Sequence, residues 1–321
     1  MTEPHPSAAP DRTEAPAAAR GGAARLLDRV RPRPGSGADA AWRRDRLPLL
    51  MGVLNVTPDS FSDGGRFNAP QTAAEHACAM ARDGADIIDI GGESTRPGHA
   101  PTPADEEIAR VVPAIRAAAA AMADAALPVA ISIDTWKAPV ASASLAAGAN
   151  IVNDIWGLQR DPDIARVAAE HDAGVVIMHN ADAPEPDADV MDLFRRFFDR
   201  SLAIAARAGV RDDRIVLDIG FGFGAARAQH LHAIRRLPEL RAAYGLPVLV
   251  GVSRKSTIGL LTGREVADRL AGSLAGHTLA LAFGADVIRV HDVAAHRDAL
   301  RIVQGVMAPE LALAAAMERG E

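Results

Sequence analysis

Four polar clusters in this chain each follow a short apolar run, and their residue types could bind and activate a charged substrate. The clusters occupy residues 55–63, 94–98, 253–256 and 289–292. The runs before them, residues 49–53, 87–90, 248–252 and 285–288, have the composition of strands buried in a parallel sheet. Because active sites of α/β barrels lie at the carboxyl ends of the strands, the recurrence of this pattern predicts an enzyme.

One set of strand-end residues combines two carboxylates, an amide and an ammonium group. Its members are Asp134, Asn153, Asp218 and Lys255. Such a set can recognise a flat ring whose edge alternates hydrogen-bond donors and acceptors. A pterin has that edge, since its N3–H and 2-amino group suit Asp218 and its O4 and N5 suit Lys255. A single buried Asp is as often a structural acceptor, so the recurrence at strand ends is what favours a binding site.

A second set is suited to an anion and comes from predicted strands one, two and eight, which are neighbours in a closed barrel. Its members are Asn55, Thr95, Arg96, Arg289 and His291. The guanidinium fork matches phosphate oxygens bidentately, although a surface ion pair is the alternative for either arginine alone. Asn55 and Asp63 offer hard oxygen atoms suited to Mg²⁺ shared with a pyrophosphate. Lys255 and Ser256 begin a helix whose free N–H groups can bind an anion or be capped by Ser256.

Strands and helices alternate eight times after residue 48, which predicts an α/β fold of the (β/α)₈ TIM-barrel type. A doubly wound open sheet is the alternative. The predicted strands are 49–56, 86–91, 129–134, 151–154, 175–179, 215–218, 248–252 and 287–290. The predicted helices are 71–84, 105–125, 138–147, 161–172, 190–208, 228–243, 264–284 and 294–307. This pattern requires one catalytic domain over residues 47–321.

Composition limits the remaining possibilities. Residues 1–46 are rich in Ala, Pro, Arg and Gly without apolar periodicity, which predicts a disordered N-terminal extension. The net charge of −6 argues against nucleic acid or an acidic membrane as the main partner. Cys78 is the single cysteine, so no intramolecular disulfide can form. The chain has no apolar run of membrane-spanning length and no signal-peptide core, which predicts a cytoplasmic protein.

Six motifs in a fixed order closely resemble dihydropteroate synthase. They occupy residues 51–65, 89–98, 133–135, 153–155, 251–256 and 289–292. The resemblance runs from residue 50 to about residue 303 and therefore covers the whole predicted barrel. It implies a Mg²⁺-dependent transferase that is typically a homodimer. The implied reaction joins 6-hydroxymethyl-7,8-dihydropterin pyrophosphate to p-aminobenzoate and gives 7,8-dihydropteroate and pyrophosphate.

The same resemblance implies roles for individual residues. The pterin would be bound by Asp134, Asn153, Met178, Asp218, Phe223 and Lys255. The pyrophosphate would be bound by Asn55, Thr95, Arg96, Arg289 and His291, and the metal by Asn55 and Asp63. p-Aminobenzoate would be framed by Phe61, Pro97, Lys255 and Ser256. The residues implied in catalysis are Lys255, Asp134, Arg289 and His291.

The segment after Asp218 departs from the family pattern. Ile219 stands where Pro is usual, Ala225-Ala226 where a Lys and a small polar residue are usual, and His230 where Asn is common. These changes leave open a catalytically silent pterin-binding paralogue. A methyltetrahydrofolate–corrinoid methyltransferase is a further alternative, but it does not need the anion set. His230 and His232 do not suggest a metal site, because a spacing of two on a helix points the rings to different faces.

Overall fold

The computed structural model of the chain describes residues 48–57, 65–94 and 101–318. Eight parallel strands close into a barrel in sequence order. They are β1 Leu49–Asn55, β2 Ile87–Gly91, β3 Ala130–Asp134, β4 Ile151–Asp154, β5 Gly174–Met178, β6 Ile215–Asp218, β7 Val248–Val250 and β8 Val287–Val290. Closure is shown by the pairing of β1 with β8, in which Met51 lies beside Arg289. The predicted TIM barrel is therefore confirmed, and the open sheet is excluded.

Helices follow the strands and cover the outside of the barrel. They are α1 Gly65–Arg82, α2 Ala104–Asp124, α3 Ala138–Ala146, α4 Asp163–Glu170, α5 Val190–Ala208, α6 Arg227–Arg235, α7 Leu237–Tyr244, α8 Ser256–Thr262, α9 Leu270–Ala282, α10 Val293–Met307 and α11 Pro309–Glu318. The helix predicted at 228–243 is two helices, because Pro238 cannot continue the first one. The helix predicted at 264–284 begins at Leu270, after a short 3₁₀ turn at Val266–Asp268.

Two parts of the predicted domain organisation remain predictions. The disordered extension proposed for residues 1–46 lies outside the described residues. The assignment of residues 47–321 to one catalytic domain also extends beyond them at residues 47, 58–64, 95–100 and 319–321. Within the described residues, no helix is long and apolar enough to cross a membrane.

The interior of the barrel is built in layers, because residues i and i+2 of a strand face the same side. We call one group of buried residues the apolar layer: Met51, Ile87, Ile151, Val176, Val216, Leu249 and Val287. Full burial of each such side chain contributes about 1.5–3 kcal/mol relative to exposure. Two residues further along β2, β4, β6 and β8 come Asp89, Asn153, Asp218 and Arg289. We call these four residues, together with Asp134 at the end of β3, the polar layer.

The outward faces of the strands form a second, larger core against the helices. Leu50 and Ile88 are fully buried there among Ile115, Phe198 and Leu300. Cys78 is a buried free cysteine of this core, as a small apolar side chain would be. This core packs the helices against the outside of the barrel. The polar layer at the carboxyl end is not part of it and is available for a functional site.

Candidate active site

A pocket opens at the carboxyl end of the barrel, directly above the apolar layer. Its volume is about 420 Å³, including the open mouth. Its walls are Asp134, Asn153, Ile155, Met178, Asp218, Phe223, Gly251, Ser253, Lys255, Arg289 and His291. All six residues predicted to bind a pterin are in this list. The pocket also contains Arg289 and His291 from the predicted anion set, so strands three to eight contribute to one cavity.

The floor of the pocket is an ion network centred on Arg289. Its Nε donates to Asp89 Oδ2 at 2.6 Å, and its Nη2 donates to Asp134 Oδ2 at 2.8 Å. Asn153 Nδ2 donates to the same oxygen of Asp89 at 3.0 Å. The sequence-based prediction gave no role to Asp89. Its signal was its position two residues after Ile87, the same spacing that places Arg289 above Val287.

The network holds two carboxyl groups for one guanidinium. Arg289 faces two carboxylates, and Asp89 is fully buried. Burial raises the pKa of Asp134 above its ordinary value, while the nearby Arg289 acts in the opposite direction. Among the described residues, Asp89 Oδ1, Asp134 Oδ1 and Asn153 Oδ1 have no hydrogen-bond partner. Buried acceptors without partners are costly, which indicates that a bound ligand supplies the missing donors.

A second charge pair, Asp218 and Lys255, forms the opposite wall. Burial raises the pKa of Asp218 to about 6, although Lys255 and the backbone N–H of Gly220 favour its charged form. Burial lowers the pKa of Lys255 to about 8, and Asp218 opposes this shift. The Lys255 ammonium donates to the carbonyl of Phe221 and lies 4.4 Å from the centre of the Phe223 ring. Both groups are therefore charged near pH 7.

The segment from Ile219 to Gly224 shapes this wall through close backbone contacts. Gly220 has φ +63°, and a Cβ there would lie 1.9 Å from the carbonyl oxygen of His179. A Cβ on Gly222 would lie 2.8 Å from Cδ of Lys255, so this glycine leaves room for the lysine chain. Larger residues are excluded at both positions.

The departures from the family pattern are accommodated in this segment. Ile219 is buried in the core. The His230 ring lies 3.3 Å from the backbone N of Gly222 and 3.2 Å from the carbonyl of Phe223, and so supports the loop. Ala226 donates its N–H to Gln229 at 2.7 Å, which begins α6 without a polar side chain at that position. His232 is exposed while His230 is buried, as predicted for their helical spacing.

The anion side of the pocket is formed by β8 and the residues that follow β7 and β8. Ser253 Oγ accepts from the backbone N–H of His291 at 3.2 Å and lies 3.0 Å from Nδ1 of its ring. Partial desolvation and the charge of Arg289 lower the pKa of His291 below its ordinary value, so the ring is neutral at pH 7. Asn55 ends β1 beside Gly91 of β2, with its side chain exposed. Thr95 and Arg96 lie outside the described residues.

Several predicted ligands of p-aminobenzoate and metal also lie outside the described residues: Phe61, Asp63 and Pro97. Ser256 begins α8 directly after Lys255 and is exposed next to the pocket mouth. Asn55 Oδ1 approaches the end of β2 and would lie 3.6 Å from a Cβ placed on Gly91. This places one hard oxygen at the rim near Asp134. The described residues contain no group of three His, Cys, Asp or Glu side chains that could hold a metal.

A buried ion cluster found only in the structure joins the end of β2 to α2 and to the start of α3. Lys137 pairs with Glu93 and, at 2.5 Å, with the fully buried Glu107. Glu93 also accepts from the backbone N–H of Thr102 at 3.3 Å. Glu93 thus connects the residues after β2 with those before α2 and with Lys137 at the start of α3.

Comparison with known proteins agrees with this geometry. Residues 51–291 match the family described as pterin-binding enzyme. A dihydropteroate synthase of Clostridium beijerinckii is 46% identical over 245 residues, which cover 76% of this chain and 88% of that protein. A Clostridium difficile dihydropteroate synthase, solved in the presence of pteroic acid, has a TM-score of 0.76 at 45% identity and covers 83% of this chain and 98% of its own.

A third relative has been solved with a drug. The Yersinia pestis dihydropteroate synthase, in a sulfonamide complex, has a TM-score of 0.74 and 41% identity. The match covers 81% of this chain and 94% of that one. Identity at this level over nearly the whole of each relative establishes common descent as well as common fold. The chain belongs to the dihydropteroate synthase family of pterin-binding enzymes.

Proposed function

We propose that this chain joins 6-hydroxymethyl-7,8-dihydropterin pyrophosphate to p-aminobenzoate in folate biosynthesis, releasing pyrophosphate and forming 7,8-dihydropteroate. The observation that carries the proposal is a single pocket that holds both the Asp218–Lys255 pair and the Arg289–His291 pair. The first pair suits the polar edge of a pterin, and the second suits a leaving phosphate group. A protein that only bound a pterin would have no use for the second pair.

Pterin recognition follows from the hydrogen-bonding capacity of the pocket walls. Asp218 uses Oδ1 to accept from Gly220 N at 2.8 Å, and its other oxygen would accept from N3–H and the 2-amino group. Asn153 Oδ1 has no partner among the described residues and would accept from the ring. Lys255 would donate to O4 and N5, and Met178 and Phe223 would cover the faces of the ring. A neutral ring without these donors would leave buried charges unpaired, which makes the site selective.

Departure of the pyrophosphate is the step in which the anion side acts. The C–O bond breaks with both electrons leaving on the pyrophosphate, so negative charge grows on its oxygens. Arg289 and the neutral ring of His291 would stabilise this charge most strongly in the transition state. Thr95 and Arg96 would add to this set.

Asn55 and Asp63 would hold Mg²⁺ against the pyrophosphate. Magnesium is commonly bound through one or two protein oxygens together with substrate phosphates, which agrees with a single described oxygen at the rim. When bound, the ion would neutralise charge on the leaving group. The fit rests on Asn55 Oδ1, which lies at the mouth next to the end of β2.

The exocyclic methylene carbon becomes cationic as the pyrophosphate leaves, so we expect a dissociative displacement. Asp134 lies on the floor of the pocket, and its ionised form would stabilise a cationic intermediate. The neutral amine of p-aminobenzoate then forms the C–N bond and loses a proton. This amine needs positioning rather than a base, so no nucleophilic Ser or Cys is required.

p-Aminobenzoate would lie at the mouth, beside Lys255 and Ser256 and against Phe61 and Pro97. The Clostridium difficile relative was solved with pteroic acid, whose benzoate half corresponds to this substrate, and the Yersinia pestis relative with a sulfonamide. A sulfonamide mimics p-aminobenzoate, so we expect inhibition of this chain by competition at the same place.

The proposed enzyme acts in the cytoplasm as a homodimer. Support for a second copy comes from apolar side chains exposed on adjacent helices, namely Leu279 at 55%, Ile302 at 70% and Val306 at 73% exposure. The absence of a spanning helix among the described residues agrees with a cytoplasmic enzyme. Sedimentation at micromolar concentration would test the dimer, and a monomer under those conditions would contradict it.

A catalytically silent paralogue is the second candidate, and Ala225-Ala226 is the observation that favours it. These residues lack the positive charge usual at that position. The retained Arg289 and His291 argue against it, and also against a corrinoid methyltransferase, which releases no pyrophosphate.

The test is pyrophosphate release by the purified chain given the pterin pyrophosphate, Mg²⁺ and p-aminobenzoate. We expect release that requires p-aminobenzoate, gives stoichiometric dihydropteroate and is inhibited by a sulfonamide. Omission of p-aminobenzoate is the control for hydrolysis. Absence of turnover with intact pterin binding would establish the silent paralogue instead, and absence of both would reject the pterin site.

A further inference from the structure

Two buried histidines, His277 on α9 and His296 on α10, connect the loops that follow β7 and β8. Both rings are 1% exposed. His277 Nε2 accepts from the backbone N–H of Val252 at 3.1 Å, and its Nδ1 lies 2.9 Å from Nε2 of His296. His296 Nδ1 lies 2.7 Å from the carbonyl oxygen of Asp292. We call His277 and His296 the histidine relay.

The backbone groups at the two ends of the relay, the N–H of Val252 and the carbonyl of Asp292, determine which ring nitrogens carry protons. The N–H of Val252 can only donate, so Nε2 of His277 carries no proton and its Nδ1 carries one. The carbonyl of Asp292 can only accept, so Nδ1 of His296 carries the proton and its Nε2 accepts from His277. Every nitrogen is used once, and both rings are neutral.

The histidine relay is one of two connections between the loops that follow β7 and β8, and an ion pair is the other. Asp292 uses its carboxylate to bind the guanidinium of Arg254, with Nε at 3.0 Å from Oδ2. Arg254 lies two residues after Val252 and has φ +57°, a strained value for a residue with a side chain. The next residue is Lys255. The histidine relay and the Arg254–Asp292 ion pair together tie the turn at residues 252–254, which follows β7, to α9 and to the residues after β8.

This support is needed because the sheet ends early here. The ladder between β7 and β8 stops at Val250 and Ile288, and β7 has three residues. Beyond it, Ser253 and Lys255 still form pocket walls. Side chains from helices therefore replace strand pairing at the point where precise placement matters most.

We propose that His277 and His296 are positioning residues for the transferase reaction, which hold the turn that carries Ser253 and Lys255 in its reactive geometry. An additional proton would disturb the relay, because on His277 Nε2 it would face the N–H of Val252 and on His296 Nε2 it would face the N–H of His277. The backbone carbonyl of Val250 favours a charged His277, but burial outweighs this effect. Burial lowers the pKa of both histidines, in agreement with the neutral state. The charged or titratable groups that face the relay are Lys255 and His291 beside His277, and Asp292 beside His296.

Substitutions of His277 test the proposal by kinetics, and this readout rests on the proposed function. His277→Leu removes the acceptor of Val252 N–H, and we expect kcat/KM for the pterin substrate to fall at least tenfold. His277→Gln can accept from Val252 and donate to His296, and we expect a value within threefold of the original. Leu281→Ala is the control for a general loss of stability, because it truncates a buried apolar side chain of the same helix but removes none of the hydrogen bonds of the relay.

Imidazole nitrogen NMR on the ¹⁵N-labelled original chain gives a readout independent of turnover. We expect both rings to show a protonated Nδ1 and an unprotonated Nε2, unchanged from pH 8 to pH 5.5. Titration of either ring near the ordinary histidine pKa of about 6.5 would overturn the proposal. So would a His277→Leu variant with unchanged kcat/KM. Should the original chain show no turnover, the proposed function fails, and the affinity for 6-hydroxymethylpterin replaces kcat/KM in the same comparison.

Discussion

The two ends of the barrel use the same residue types for different purposes. At the amino end, Asp86 pairs with Arg297 at 2.8 Å and Asp286 pairs with Arg241, so each carboxylate has its own guanidinium. Both carboxylates also accept backbone N–H groups, of Leu50 and Val248 respectively, each at 2.9 Å. One guanidinium for each carboxylate is the pairing that an ion pair serving stability requires, although Arg297 Nε has no hydrogen-bond partner among the described residues.

The carboxyl end lacks that balance. Arg289 is shared between Asp89 and Asp134, and acceptor atoms of the polar layer remain without partners among the described residues. Burial raises the pKa of Asp134 and Asp218, which means that their charge costs stability in the free protein. The comparison indicates that matched charges mark structure and that unmatched buried charges mark the place where a ligand completes the set.

The largest effect is expected from Arg289→Met, compared with Arg297→Met. Loss of Arg289 leaves two buried carboxylates uncompensated, so we expect kcat/KM to fall at least 100-fold and stability to fall by about 3–5 kcal/mol. Arg297→Met should cost stability while kcat/KM stays within threefold. Steady-state kinetics and urea unfolding measure both. Equal kinetic losses in the two variants would remove the functional distinction between the two ends.

Asp218→Asn and Asp286→Asn should change stability in opposite directions. The folded-state pKa of Asp218 is about 6, above its unfolded value, so its ionisation destabilises the fold as pH rises through this range. The variant removes that cost. We expect equal stability near pH 4 and a variant more stable by up to about 3 kcal/mol at pH 8. Pterin affinity should fall at least tenfold.

Asp286→Asn should be less stable than the original chain at pH 8, because it loses the ion pair with Arg241. Its pterin affinity should be unchanged. Unfolding free energies across pH 4–8 check both variants, and destabilisation by Asp218→Asn at pH 8 would contradict the comparison.

The smallest effect is expected from His230→Asn, which restores the residue common in the family. The shorter side chain gives up the ring contact with Phe221, whose centre lies 5.2 Å away, but can still bond the loop backbone. We expect a stability loss of about 1 kcal/mol and pterin affinity within threefold. Thermal unfolding and calorimetry measure this. A large loss of affinity would place His230 within the binding site.

Much of the barrel and its pocket could be predicted because both depend on local sequence patterns. Parallel strands whose side chains alternate between the two faces end in polar residues, and closure of the barrel brings Asp134, Asn153, Asp218 and Arg289 together without further information. The bounds of β4, β6 and β8 agree with the prediction to the residue, since Gly and Asp residues delimit short β-branched runs. The role of Asp89 was missed because it lies within a strand. Its position two residues after Ile87 nevertheless indicates that its side chain faces the interior of the barrel.

Other features depend on contacts between distant residues and leave no local signal. His277 and His296 are on different helices, and neither stands in a motif. Lys137 pairs with Glu93 across 44 positions of the chain, and this contact follows only from the packing of α2 against α3. The break at Pro238 was visible in the sequence, but the apolar pattern continued across it and outweighed the proline.

The pH dependence of pterin affinity tests the central claim most directly, because it depends on the charge states of both Asp218 and Lys255. Asp218 must be ionised to accept from the pterin, and Lys255 must be protonated to donate. Their pKa values of about 6 and about 8 in the free protein predict an affinity that is greatest near pH 7 and falls on both sides. The acidic limb should disappear in Asp218→Asn. Calorimetric titration of 6-hydroxymethylpterin into both proteins from pH 5 to pH 9 measures this. A flat profile in the original chain, or an acidic limb that survives in the variant, would contradict the account.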